Sequence, residues 1–190
     1  MAMRNEQKQE GIVLFMSLVM LLLLTVLGVS SIQTTSLQQR MARNANDGNL
    51  AFQAAELALR DGENLLQGLN SLIVFGDAGA PATLAPNEAN GYYYEAGPGL
   101  TPNWLRPGVW NGAAPSSRVS NTAMTGVNAQ PRYIVEHVKT VISDADTLNL
   151  DNIGQDTGGG RTEIFRVTAR GTGATGTAQA MIQGTYGKRF

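Results

Sequence analysis

The chain has 190 residues, a formal net charge of −1 at pH 7 and no cysteine. This charge balance gives no electrostatic basis for a nucleic-acid partner, and the absence of cysteine excludes a domain braced by disulfides. About 120 residues follow the predicted N-terminal helix, which is enough for one modest core that packing alone must stabilise.

The first predicted element is a membrane-spanning helical segment at residues 12–37. Residues 12–39 carry no charge, and residues 12–32 would extend about 30 Å as an α-helix, which matches the hydrocarbon core of a bilayer. The polar leader ahead of them, residues 1–11, ends in Gly11 and has as many acidic as basic side chains. A secretory signal has a basic start and a shorter apolar core. Cleavage after Ser30 and an uncut signal anchor are the two alternatives.

The same helix is predicted to continue through residues 38–68 as an amphipathic segment. Apolar and small residues recur there in steps of three and four, so they share one face, centred on Phe52, that we expect to pack on a sheet. Gly48 lowers helix propensity by about 1 kcal/mol relative to alanine, so residues 44–49 are the place where the helix would bend or partly melt. Gly68 predicts the end of the helix. The predicted face comprises Leu37, Met41, Ala45, Gly48, Phe52, Ala55, Leu59, Gly62 and Leu66.

The rest of the chain, residues 69–190, is predicted to form a globular head. Residues 76–130 are rich in Gly, Pro, Asn and Ala, so regular structure should be short there. Three consecutive tyrosines at residues 92–94 favour a strand. Trp104 and Trp110 are predicted to anchor loops on the core, with a partner-binding surface as the alternative.

Three strand-like runs follow in the C-terminal part. Residues 132–142 are rich in β-branched side chains, and residues 164–170 alternate between two faces. Residues 179–186 come after a glycine-rich turn. With the helix first and the strands last, the predicted fold class is α+β, with a long N-terminal helix packed on a C-terminal antiparallel sheet.

Three motifs resemble ligand sites but lack the context that such sites need. Residues 171–176 match GxGxxG, yet a strand-like segment follows them, so a hairpin loop is predicted instead of a dinucleotide site. The four aspartates within residues 144–156 could bind calcium, but their spacing misses the EF-hand pattern and predicts a solvated loop. His137, the only histidine, has no nucleophile signature nearby and is predicted to be structural. The sequence therefore predicts no enzyme, no cofactor and no metal site.

Five short segments carry a family resemblance. They are LTVLGVSS at residues 24–31, RMA at 40–42, NLAFQAAE at 49–56, IFRVTARG at 164–171 and AQA at 178–180. Together with the glycine-terminated leader and the long helix, they resemble the PilX family of minor pilins, within the wider family of type IV pilins and pseudopilins. The resemblance covers residues 11–66 best, is weaker from residue 132 onward and is absent between residues 75 and 130. It implies the type IV pilin-like fold.

This resemblance also implies a processing site and a docking position. A prepilin peptidase would cut between Gly11 and Ile12, and the new amine of Ile12, which stands where an aromatic residue is usual, would be methylated. Most pilins have a glutamate at the fifth mature position, where it offsets the buried terminal amine of a neighbouring subunit. This chain has Met16 there. Because an unpaired ion in hydrocarbon is costly, Met16 predicts a subunit at the fibre tip.

The implied function is that of a minor pilin that helps to initiate type IV pilus assembly. Its implied partners are other minor pilins, the major pilin, a PilY-type tip adhesin and the prepilin peptidase. It would cross the inner membrane once with its head in the periplasm, and would then enter the pilus at the cell surface. The alternative is a tip minor pseudopilin of a type II secretion system, because such subunits also lack the glutamate. A membrane-anchored enzyme is a third hypothesis, without a catalytic constellation in the sequence to support it.

Overall fold

A computed structural model of the chain describes residues 10–75, 90–111, 114–142 and 161–190. The chain divides into two compact units, Met1–Ala45 and Asn46–Phe190, and the long helix contributes residues to both. We refer to the second unit as the head. Within the described ranges the elements are the helix α1 (Glu10–Gly68), the strands β1 (Tyr92–Tyr94), β2 (Arg118–Val119), β3 (Arg132–Val141), β4 (Thr162–Thr172) and β5 (Gln179–Arg189), and 3-10 helices at Leu72–Phe75 and Asn103–Leu105.

The N-terminal part of α1 is long and apolar enough to cross a membrane, with a mean hydropathy of 2.9 over its most apolar window. Its large apolar side chains are exposed, from Ile12 at 66% to Ile32 at 71%. The hydroxyls of Ser17 and Thr25 donate to main-chain carbonyls one turn earlier, each at 2.8 Å. These hydroxyls are therefore satisfied within the helix and do not oppose burial in an apolar environment.

The head contains a mixed sheet in the order β1-β3-β4-β5, with β2 also paired to β3. The pairs β2/β3, β3/β4 and β4/β5 are antiparallel, whereas β1 runs parallel to β3. A parallel pair needs a long crossover connection, which residues 95–131 supply. The predicted α+β class, with the long helix on a C-terminal sheet, is confirmed, and the parallel strand β1 is the departure from the predicted antiparallel pairing.

Small residues allow α1 to lie directly on β4. A Cβ atom added to Gly171 would lie 2.2 Å from the carbonyl oxygen of Ala51 and 2.4 Å from the amide nitrogen of Ala55. One added to Gly62 would lie 2.5 Å from Cγ1 of Val167. The two backbones are in contact at Gly171, and a larger side chain at either glycine would push helix and sheet apart. The buried helix face comprises Ala51, Ala54, Ala55, Ala58, Gly62 and Leu66.

Phe52 is not on the buried face, so its prediction as the centre of that face is wrong. Its side chain is 48% exposed, whereas Ala51 is 1% exposed and Ala55 fully buried. The close approach at Gly171 leaves room for methyl groups and none for an aromatic ring. Periodicity favoured Phe52 because it is the largest apolar residue in this turn, although the alanines beside it satisfy the same spacing.

The sheet has a packed cluster on each face. Against α1 lie the large side chains of Tyr133, Phe165 and Val167, all fully buried, together with Phe75. On the other face Tyr93, Val109 and Ile134 form a second cluster, and both tryptophans pack against it. The indole nitrogen of Trp110 donates to the carbonyl of Trp104 at 2.8 Å. The prediction that the tryptophans anchor loops on the core is confirmed.

The hydroxyl of Tyr133 is the one buried side-chain polar atom without a hydrogen-bond partner among the described residues. Burial raises the pKa of Tyr133 above its ordinary 10.0, against the opposing charge of Arg118. The folded-state pKa of Tyr133 therefore lies above its unfolded value. The part of the free energy of unfolding that depends on a neutral Tyr133 is complete below pH 10 and is lost as the pH rises beyond it.

We therefore expect Tyr133→Phe to raise the free energy of unfolding by about 1 kcal/mol or leave it unchanged, because an unsatisfied buried hydroxyl is removed. The variant should also lose less stability above pH 10 than the wild type. Urea unfolding of the full chain in mild detergent, followed by tryptophan fluorescence, measures both. The control is Tyr93→Phe, whose hydroxyl bonds to Ser116 at 2.7 Å and 2.8 Å; it should cost about 1 kcal/mol. A clear loss of stability in Tyr133→Phe would contradict the expectation.

Candidate functional site

The residues predicted to govern processing and docking lie in the first turns of α1. Gly11, Ile12 and Met16 are helical, and the side chains of Ile12 and Met16 are 66% and 61% exposed. Leader residues 1–9 are outside the described ranges. The sequence has no aspartate or glutamate between Glu10 and Asp47. No acidic side chain in the apolar half can therefore stand in for a glutamate at position 16.

Asp47 fastens α1 to the turn between β4 and β5. The amide nitrogen of Thr175 donates to Asp47 Oδ1 at 3.2 Å, and the Thr175 hydroxyl donates to Asp47 Oδ2. The Thr175 hydroxyl lowers the pKa of Asp47 the most; burial opposes it, and backbone amides in the turn also lower the pKa. Residues 44–49, where melting would be expected, are helical, and the carboxylate contact lies inside them.

Two further side chains hold α1 to the head. Asp61 accepts hydrogen bonds from the Ser120 hydroxyl and, at 3.1 Å, from the Thr122 amide nitrogen. Lys188 Nζ donates to the carbonyls of Leu66 at 2.9 Å and of Gln67 at 2.6 Å. An ammonium group there satisfies carbonyls at the helix C-terminus and complements the helix dipole. Neither contact was predicted from the sequence, because each joins residues far apart in the chain.

A buried carboxylate organises the face of the sheet that lies away from α1. Glu136 on β3 is fully buried and accepts from Arg166 Nε and from Asn103 Nδ2, both at 2.9 Å. Arg166 also pairs with Glu95, at 3.3 Å. The hydrogen bond that Arg166 donates to Glu136, more than any other contact, raises the pKa of Arg166. The network ties the loop that contains Asn103 to β3 and β4.

His137, which was predicted to be structural, lies beside a carboxylate and aromatic rings. Its Nε2 lies 2.7 Å from Glu163 Oε2, and the Thr140 hydroxyl donates to the same oxygen at 2.6 Å. The ring packs among Phe75 and Phe165. The histidine and the hydroxyl both bond to this carboxylate, and no hydrogen bond joins them to each other within the described residues, whereas a triad needs the histidine between the other two groups. This arrangement is unlike a catalytic triad.

The glycine-rich motif also has its predicted role. Residues 173–178 connect β4 to β5 as a hairpin turn, and Gly176 has a positive φ of 77°. A strand follows where a dinucleotide site needs a helix. The four aspartates within residues 144–156 lie outside the described ranges. In the described part of the chain, no group of three His, Cys, Asp or Glu side chains is placed to hold a metal ion.

Family comparisons decide the class of the protein. The PilX N-terminal model matches residues 10–60, and the model of the type IV pilus assembly protein PilX C-term matches residues 81–188. The chain belongs to the PilX family of type IV pilus assembly proteins. The PilX C-terminal match includes residues 81–130, in which the sequence segments showed no resemblance. No curated protein and no solved structure matches the chain significantly.

Membership of the PilX family identifies a minor pilin of type IV pilus assembly, a structural component of the pilus. The long apolar helix fits a membrane-anchored subunit of such a fibre. A PilX-type subunit interacts with other components of the pilus. Within the head, the contacts of Asp47, Asp61 and Lys188 connect α1 to the rest of that unit.

Proposed function

We propose that this chain is a minor pilin that helps to initiate assembly and occupies the tip of the pilus. The observation that carries the tip position is Met16, together with the absence of any acidic residue between Glu10 and Asp47. A subunit lacking that carboxylate cannot offset the terminal amine of the subunit above it. It can still accept a neighbour from below, whose own glutamate would pair with the amine of Ile12.

The proposed processing follows from the same segment. A prepilin peptidase would remove residues 1–11 by cutting between Gly11 and Ile12, and the amine of Ile12 would be methylated. The family match begins at residue 10, next to this junction. Removal of the leader leaves a helix whose first 28 residues, 12–39, carry no charged side chain. This rod can move from lipid into the apolar centre of a fibre without exposing or burying a charged side chain.

In the proposed pathway the protein first crosses the inner membrane once, with its head in the periplasm. It then forms a priming complex with other minor pilins and a PilY-type tip adhesin, and the major pilin adds below. The family match favours this pathway over the type II secretion alternative, because both matching models describe PilX. The outward surface of the head would make the contacts with the adhesin and the minor pilins.

The tip position is tested by Met16→Glu in the full chain. We expect immunogold label on purified pili to move from the tips to positions along the fibre, because the new carboxylate allows the subunit to dock beneath another. Met20→Glu is the matched control. It adds the same charge one turn further along the helix, where it cannot reach the neighbour's amine, and it should not redistribute the label. Label that keeps its wild-type distribution in Met16→Glu would remove the charge argument.

A further inference from the structure

Four residues form one row across the sheet, on the face away from α1. The pairing registers join Val119 of β2 to Arg132 of β3, Arg132 to Arg170 of β4, and Arg170 to Met181 of β5. Residues in register on neighbouring strands project from the same face. Strands lie about 4.8 Å apart, so the row is about 14 Å long. We name these four residues the arginine row.

Among the described residues, no carboxylate balances the charges in this row. Four residues along the same strands, Glu136 and Arg166 lie opposite each other as an ion pair. In the row, two arginines lie opposite each other, and like charges directly opposite destabilise a sheet. Neither Arg132 nor Arg170 forms an ion pair within the part of the chain that the structure describes.

Neutral oxygens accept hydrogen bonds from both arginines, and these bonds use two N–H groups of each guanidinium in the part of the chain that the structure describes. Arg132 donates to the hydroxyl of Ser117 at 2.8 Å and to its carbonyl at 2.7 Å. Arg170 donates to Asn111 Oδ1 at 3.2 Å and to Gln179 Oε1 at 2.7 Å. A guanidinium has five N–H donors, so each group retains donors for a further acceptor. The bonds also hold both side chains in place ahead of any binding.

Burial acts on these two arginines without compensation. Burial lowers the pKa of Arg132 and of Arg170, and no carboxylate of the described ranges opposes this shift at either residue. The pKa of Arg166, which lies on β4 with Arg170, shifts in the opposite direction because Glu136 raises it. The two guanidinium groups are therefore partly desolvated cations, which favours the binding of an anion.

Exposed apolar side chains flank the pair at both ends. Val119 is 43% and Met181 is 41% exposed. Arginine and methionine are enriched at protein interfaces, where apolar neighbours exclude water from charged contacts. The row thus presents one apolar side chain, two guanidinium groups and a second apolar side chain, in that order. This arrangement is complementary to a protein surface with an acidic centre and apolar sides.

We propose that the arginine row is a docking site for a protein partner that places an acidic side chain between Arg132 and Arg170, with apolar side chains against Val119 and Met181. This inference rests on the proposed function, which places the head in a protein assembly. A nucleic acid fits less well, because the chain has a net charge of −1 and the row offers only two positive charges.

The test replaces the native copy in its host with the full chain carrying Arg132→Glu and Arg170→Glu. Recovery of the chain in sheared filaments, relative to its level in membranes, should fall at least about tenfold, because acidic groups then face each other across the contact. Lys139→Glu is the matched control, since it reverses an exposed charge on β3 outside the row; its recovery should equal that of the wild type. An acidic-to-basic substitution in another pilus subunit should restore the double variant.

The fold of the double variant is checked by its urea midpoint in detergent. If the midpoint falls, two milder single variants replace the double variant: Arg170→Gln, at a half-buried side chain, and Met181→Ala, at an exposed one. Each should lower the recovery in filaments about threefold or more, which is the effect of losing one peripheral contact. Unchanged recovery in well-folded variants overturns this inference alone, provided that the wild type is present in filaments. A wild-type chain that is absent from filaments overturns the proposed function as well.

Discussion

Replacing Glu136 by leucine is expected to lower the free energy of unfolding of the head by about 3 to 5 kcal/mol, because it breaks a buried ion pair by removing one partner. Glu136 is fully buried, and its loss leaves Arg166 Nε and Asn103 Nδ2 without the acceptors that lie 2.9 Å away. Among the described residues, the ion pair that Arg166 keeps is the one with Glu95, which is 41% exposed and therefore screened by water.

The double variant Glu136→Leu/Arg166→Met separates charge from packing. Replacing both members of a buried pair by apolar residues is often neutral, so the double variant should recover most of the stability lost in the single variant. Urea unfolding of the full chain in mild detergent measures both, and the fluorescence of Trp104 and Trp110 reports on the head because both tryptophans lie there. If the double variant is no more stable than the single one, then the carboxylate acts through its shape and not through its charge.

A methyl group at Gly171 is expected to cost about 3 kcal/mol or more, because it would overpack a contact between two backbones. Its Cβ atom would lie 2.2 Å from the Ala51 carbonyl oxygen and 2.4 Å from the Ala55 nitrogen. Those atoms belong to the helix main chain and cannot rotate away, so α1 would have to separate from β4. Gly171→Ala in the full chain should therefore unfold at a lower urea concentration than the wild type.

Gly187→Ala is the control for this substitution. Gly187 also lies in the sheet, on β5, but a Cβ atom there would be 3.5 Å from the side chains of Ile164 and Thr162, which is ordinary van der Waals contact. We expect a change within about 0.5 kcal/mol. Equal losses in the two variants would show that the glycines matter for chain flexibility and not for the close approach of α1 to β4.

Much of the fold could be predicted because its signals are local. The uncharged run at residues 12–39, the stop at Gly68 and the alternation around Phe165 each depend on residues within one element. Phe52 shows the limit of this approach, because hydrophobic periodicity ranks side chains by size while the contact between α1 and β4 selects small ones. The parallel placement of β1 depends on a crossover that no short segment encodes.

The features that organise the head could not be predicted, because they join distant residues. Asp47 meets Thr175 across 128 positions, and Lys188 caps a helix that ends 120 residues before it. Arg132 and Arg170 lie opposite each other because of the register between β3 and β4. By contrast, Met16 could be singled out from the sequence, because its proposed role depends on its position, five residues after Gly11.

The most direct test of the account is mass spectrometry of the protein's N-terminus in sheared, purified pili. The account predicts a chain that begins at Ile12, carries a methyl group on its terminal amine and is present in the filament fraction. A chain that begins at Met1 or Ser31, or that stays in the membrane and never accompanies filaments, would contradict it.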